Sequence, residues 1–294
     1  MRVLKRSGGR AQRHIQRAAK PMLDPCPPGQ IGGAYKPLSP SDRERFFDTA
    51  LLLLAILGMG EVPDRLRDDL LAAGARGDGK GRVTFPRSLV EDAIARAAKT
   101  FTLHGRDEDR SINVGGSTVH FGTGGAAVQT LDLDSGLYRP STLADLHNFT
   151  RLQDTLANVS WYTRCCVATD VPDNFDLDVN TAYALLRNTT KPTATSFTLA
   201  EYVAPIVKMM DIAAGGEGEF SKRPFMKAHI SPVISPMRYG EDAVDVVYEC
   251  IKHNIPMSCI TAAQAGATAP ATMAGFLAQS LAETLASLVM VNVI

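Results

Sequence analysis

Five short β-prone runs from residue 119 onward each end in side chains that can do chemistry. VHFGT (119–123) supplies Phe121, Thr123 and, just beyond it, Gly124; NVSWYTR (158–164) supplies Trp161, Tyr162 and Arg164. PTATSF (192–197) ends in Phe197, PFMKAHIS (224–231) carries Lys227, His229 and Ser231, and IPMSCIT (255–261) leads through Thr261 to Gln264 and Thr268. His229 is the candidate acid, base or substrate-orienting group, because imidazole titrates near neutral pH. The alternative is a hydrogen-bonded structural histidine. Trp161, the only tryptophan, together with Tyr162, Phe121 and Phe197, offers ring faces to an alkylammonium group, an attraction of roughly 0.5–2 kcal/mol per ring. Core packing is the competing use, and strand alternation sends Trp161 and Tyr162 to opposite faces, so only one of them lines a given pocket.

Other residues admit two readings each. Arg164 and Asp170 either hold opposite ends of a zwitterion or are loop residues beside a turn. The run HFGTGG lets a ligand approach the backbone, since glycine lacks a side chain, but it lacks the lysine and hydroxyl ending of a phosphate loop and equally fits a tight turn. His104, His120, His147 and His253 fall in the cap or on helices and are read as structural. The sequence has no HxH, HExxH or carboxylate cluster, so no bound metal is expected.

Strand tips converge only if a framework holds them. From 119 onward a β-prone run, a loop and a helix-prone segment recur about every 30 residues, the βαβ rhythm of a parallel sheet. The intervening helices are TLADLHNFTRLQDTL, FDLDVNTAYALLRN, LAEYVAPIVKMMDIAAG and YGEDAVDVVYECIKHN, with a last helix from about 270. No glycine-rich dinucleotide fingerprint opens the first unit, which favours a TIM-like (β/α)8 barrel over a doubly wound sheet. The expected fold class is therefore α/β: a barrel truncated after about five strands, with the parent protein continuing for about three more units. A self-contained five-stranded α/β domain is the alternative. Three segments are expected: a basic tail and Pro/Gly-rich wrap at 1–40, a helical and β-hairpin cap at 41–118, and the partial barrel at 119–294.

The totals narrow the class. A 45% hydrophobic composition with 21% charged residues suits a globular core and excludes disorder. Lys plus Arg and Asp plus Glu both number 31, so the bulk charge proposes neither nucleic acid nor an anionic membrane as partner. Residues 1–20 hold seven basic residues and no acidic one, without the apolar stretch of a secretory signal. That tail is a solvated arm or a docking arm for an acidic partner. Five cysteines, two of them adjacent and none in a CxxC pair, read as reduced thiols of a cytoplasmic protein. No run of about eighteen uninterrupted apolar residues occurs, so no membrane partner is expected.

Against these segments the chain resembles the trimethylamine methyltransferase family. LHGRD, the stretch VHFGTGGAAVQTLDLDSGLYRPSTLADL and QAGATAPATMAGFLAQSLAETLA carry the resemblance, with GLYRPST and QAGATAPATMAG the most specific. The likeness runs from end to end but covers about the first three-fifths of the family's length. It implies a TIM-barrel fold and transfer of a methyl group from trimethylamine, or a quaternary amine such as glycine betaine, to the Co(I) of a corrinoid on a separate small protein. The family's pyrrolysine position falls beyond the last residue. By the same resemblance Thr261, Gln264, Gly266 and Thr268 border the pocket, with His229 nearby; members are often homo-oligomers. The alternatives are another barrel enzyme, such as an aldolase built on Lys227 or a zinc methyltransferase, and an inactive chain that only binds partners.

Overall fold

The computed structural model of the chain describes residues 26–294 and, upstream of them, only Gly9, His14 and Asp24. The basic arm expected at 1–20 lies outside the described residues apart from Gly9 and His14. After a short extended segment at Gln30–Ile31 come three helices, α1 (Pro40–Ile56), α2 (Asp64–Ala72) and α3 (Arg87–Arg96). Ser39 starts α1 by accepting a hydrogen bond from the Asp42 N–H, and Pro40 occupies a first-turn position where its missing donor costs nothing. Leu51, Leu54, Leu66, Leu70, Leu89 and Val90 are buried, and these helices join one continuous core.

A hairpin follows, β1 (Thr100–Leu103) paired antiparallel with β2 (Ile112–Gly115). Four parallel strands come next: β3 (Tyr162–Thr163), β4 (Thr193–Thr195), β5 (Met226–Ile230) and β6 (Met257–Cys259). They stand side by side in chain order, as short right-handed βαβ crossovers produce. The longer helices around them are α4 (Leu143–Thr155), α5 (Asn174–Asn188), α6 (Val203–Ala214), α7 (Glu241–Lys252) and α8 (Met273–Val293). Each lies where helical periodicity predicts it. The architecture is thus mixed α/β around a four-stranded parallel sheet.

The expected strand at 119–123 divides. Thr118 and Val119 pair antiparallel with Gln30 and Ile31, while Gly122 makes a single parallel bridge to Trp161 beside β3. The segment leaves one partner and turns to another within three residues, which a continuous strand does not allow. Thr123 completes the tether: its hydroxyl donates to the Thr163 carbonyl at 2.7 Å and accepts from the Thr163 N–H at 2.9 Å.

The helix α8 is, by length and composition, apolar enough to cross a bilayer, a property that a search for uninterrupted apolar runs misses because Gln279 and Glu283 break the run. Half of its most apolar window is buried inside the fold, and the helix packs on α1, α2 and α3. Glu283 within it is fully buried and accepts hydrogen bonds from Ser235 Oγ (2.7 Å), the Met237 N–H (3.0 Å) and Gln279 Nε2 (3.0 Å). Those contacts describe a core helix tied to the loop after β5.

Candidate functional site

Strand β5, MKAHI, alternates between fully and partly buried residues, so its two faces do different work. Met226, Ala228 and Ile230 belong to the hydrophobic core that the helices share. Lys227 and His229 occupy the opposite face. Register places Lys227 beside Ala194 and thence Thr163, and His229 beside Ser258. The Lys227 ammonium donates to Ser258 Oγ at 2.9 Å. Trp161, at the start of β3, reaches across β4 to this pair: its ring lies 4.4 Å from Lys227 Nζ and meets the His229 ring edge-on at 6.2 Å between centroids. The small side chain of Ala194 leaves the strand it crosses open.

Trp161 is held from behind by a missing side chain. A Cβ on Gly122 would come within 2.0 Å of the indole, so only glycine lets the segment pass this close. Tyr162, the next residue, points the other way and is 1% exposed, its hydroxyl 3.2 Å from Cys165 Sγ. The pair of adjacent aromatics is thus split between the two faces of the sheet.

The electrostatics of the wall are one-sided. Burial, followed by the nearby charges of Lys227 and Arg164, pulls the His229 pKa down to about 4, so the ring is neutral at pH 7. Lys227 is also shifted down, by burial alone. Burial lowers Arg164 too, opposed by the charge of Asp178. Asp178, which sequence reading missed, sits in the first half of α5 and accepts from the Thr198 N–H (2.6 Å) and hydroxyl (3.1 Å). Its burial raises its own pKa.

The remaining candidates distribute unevenly. Phe121 keeps 45% of its surface exposed, and Gly124 has open space around its α-carbon. Ser231 is exposed one residue beyond β5. Phe197 is in the core, 8% exposed, because Thr193 and Thr195 register with Met226 and Ala228 and it continues their parity onto the helix-facing side. Thr261 contacts Thr284 of α8 (3.4 Å). Gln264 and Thr268 close a turn on each other, the Gln264 N–H donating to Thr268 Oγ1 at 3.0 Å, and Gln279 of α8 donates to the Thr268 carbonyl at 2.8 Å. This turn is fastened to α8 rather than to Trp161 and His229. Asp170 accepts from the Leu143 N–H at 2.8 Å and so finishes the start of α4, the structural one of its two readings.

The motif GLYRPST is likewise a brace. Arg139 makes two parallel hydrogen bonds to Asp145 (2.6 and 2.9 Å) and a third to Asp132 (3.1 Å), while Thr142 and Asp145 form a capping box on α4. The Arg139 guanidinium holds the Asp145 carboxyl far below the usual carboxylate range. Among the described residues no group of three or more His, Cys, Asp or Glu side chains gathers as a metal site.

A parallel α/β sheet with one apolar and one cationic, aromatic face describes a class of ligand-binding and catalytic frameworks. The comparison with known proteins makes it specific. Residues 6–294 match the family described as trimethylamine methyltransferase (MTTB), and the chain belongs to that family. It is 31% identical over 218 residues to a trimethylamine methyltransferase of Desulfitobacterium hafniense, covering 74% of this chain and 44% of that protein. It is 25% identical over 261 residues to a glycine betaine methyltransferase of the same species, covering 88% and 54%. A trimethylamine methyltransferase of Methanosarcina barkeri is 27% identical over 217 residues, covering 71% and 43%. The chain therefore spans about half the length of the curated relatives it matches.

Proposed function

We propose that this protein moves a methyl group from a methylated amine, trimethylamine or a quaternary amine such as glycine betaine, to the Co(I) of a corrinoid borne by a separate protein. The observation that carries the reading is the family match along residues 6–294, and the sheet's sequential parallel order accords with a (β/α) barrel framework. The corrinoid supplies the nucleophile, so the chain needs no nucleophile of its own. Its task is to orient an N-methyl group, keep water away and avoid trapping the cation. A neutral His229 suits that task, because it offers a hydrogen bond without adding positive charge beside an ammonium. Trp161 does not serve as the cation's ring in this reading, since Lys227 already lies over it. Phe121, bonded through its carbonyl to the Ser160 N–H beside Trp161, is an aromatic with free surface near this wall.

The test mixes the purified protein with reduced corrinoid protein and, separately, trimethylamine, glycine betaine, proline betaine and carnitine. The corrinoid absorbance is followed. A spectral change from Co(I) with one of the four is the expected result; silence with all of them contradicts the reading.

A further inference from the structure

Between the β1–β2 hairpin and the amino-terminal ends of β3, β5 and β6 lies a hollow of about 400 Å³. Phe101, Leu103, Val114 and Met257 give it apolar walls, and Trp161, Lys227, Ser258 and His120 give it a polar side. Among the described residues no carboxylate lines it. We propose that this hollow is a binding site for a small organic monocarboxylate with a compact apolar end, its carboxylate held by Lys227 and Ser258.

Three observations point the same way. The Lys227 ammonium is half withdrawn from water, yet its neighbours are a hydroxyl and an indole face, neither of which neutralises it. A buried cation of this kind is stabilised by an anion that arrives with the ligand. Ser258 accepts from Lys227, which leaves its own O–H free to donate into the hollow. His120 supplies the third. Its Nε2 lies 3.0 Å from the Asn113 carbonyl, which only accepts, so Nε2 carries a proton. Its Nδ1 is buried without a partner among the described residues, a polar atom on this side of the hollow that the protein leaves unsatisfied. The apolar walls carry no group for a second charge, so the far end of the ligand is hydrocarbon.

This site does not rest on the methyl-transfer reading. It lies toward the opposite end of the strands from Ser231 and Thr261, and it is tested by binding alone. Calorimetric titration of the purified protein compares 3,3-dimethylbutyrate, its neutral amide, glycine betaine as the zwitterion of the same shape, and trimethylammonium chloride. The expected result is one saturable site for 3,3-dimethylbutyrate, weaker binding of betaine, and none for the amide or trimethylammonium. Lys227→Met is expected to weaken binding about tenfold or more, the size of a lost charge-assisted hydrogen bond. Val114→Phe, which fills the hollow with Lys227 intact, is expected to do the same and guards against a fold defect in the first variant. Equal binding of acid and amide, tighter binding of betaine than of the acid, no binding of the acid, or unchanged affinity in both variants overturns the proposal.

Discussion

The two faces of the parallel sheet have the same backbone and opposite chemistry. Facing the helices, Met226, Ala228 and Ile230 are at most 5% exposed and form part of one core. On the other face Trp161, Lys227, His229 and Ser258 bring a cation, a neutral imidazole and a hydroxyl together at the same strand positions. The first face is what folding requires. The second works against folding, since burying Lys227 costs free energy at neutral pH and keeping His229 uncharged adds a cost as pH falls below 6.5. A wall that costs stability and repeats no packing pattern is what the proposed ligand site requires, and that contrast is open to direct attack.

The largest effect is expected where the faces are exchanged. Ile230→Ala removes buried methyl groups and is expected to cost about 2–5 kcal/mol, whereas Lys227→Met, three residues earlier on the opposite face of the same strand, is expected to stay within about 1 kcal/mol of the parent or to exceed it. Denaturant midpoints at constant m-value measure both. Equal losses from the two substitutions erase the distinction between the faces.

Next comes the tie between α8 and the loop after β5. Glu283→Ala leaves the Met237 N–H buried without an acceptor, a loss of about 1–3 kcal/mol. Melting temperature reports it, and Glu283→Gln, which keeps one oxygen, is expected to recover part of it.

His229 gives the polar face of the sheet a pH signature. Its folded pKa, about 4, lies below the ordinary histidine value of 6.5, so the unfolded chain binds the proton more readily. The stability it contributes is complete above pH 6.5 and is lost as pH falls toward 4. Melting temperatures across that window are expected to fall less steeply for His229→Asn than for the parent; parallel slopes place the pH sensitivity elsewhere.

The smallest effect concerns the adjacent cysteines beyond β3. Hydrogen bonds from Cys166 first, and then from Tyr162, lower the Cys165 pKa to about 7, while burial pushes Cys250 to about 12 and Cys259 to about 11. Iodoacetamide is expected to label Cys165 first, with a midpoint near pH 7. Tyr162→Phe is expected to move that midpoint upward.

Much of the framework is visible in the sequence, because local rules govern it. The runs at 158–164, 192–197, 224–231 and 255–261 contain β3 to β6, and the helical segments between them fall where apolar periodicity and Gly or Asn stops put them. The run at 119–123 reads as a strand from composition, yet its pairing is decided by Gln30, Ile31 and Trp161, which lie far away in the chain. The site is less legible for the same reason. Alternation separates Trp161 from Tyr162, but only register with Met226 and Ala228 shows that Phe197 faces the helices. Lys227 over Trp161, Asp178 bonded to Thr198 and Glu283 accepting from the Met237 N–H are tertiary pairings without a local signal. In GLYRPST the specific residues brace a hairpin and a helix start, so a recognisable motif here marks the scaffold.

The most direct test of a ligand-facing polar wall compares parent and His229→Asn in single-turnover methyl transfer to reduced corrinoid protein, with thermal melts of the same samples. The account gives a rate at least about tenfold lower in the variant, the range of a lost positioning or acid–base group, with a melting temperature at pH 7 close to the parent's. An unchanged rate, or a rate that falls only in step with unfolding, contradicts it.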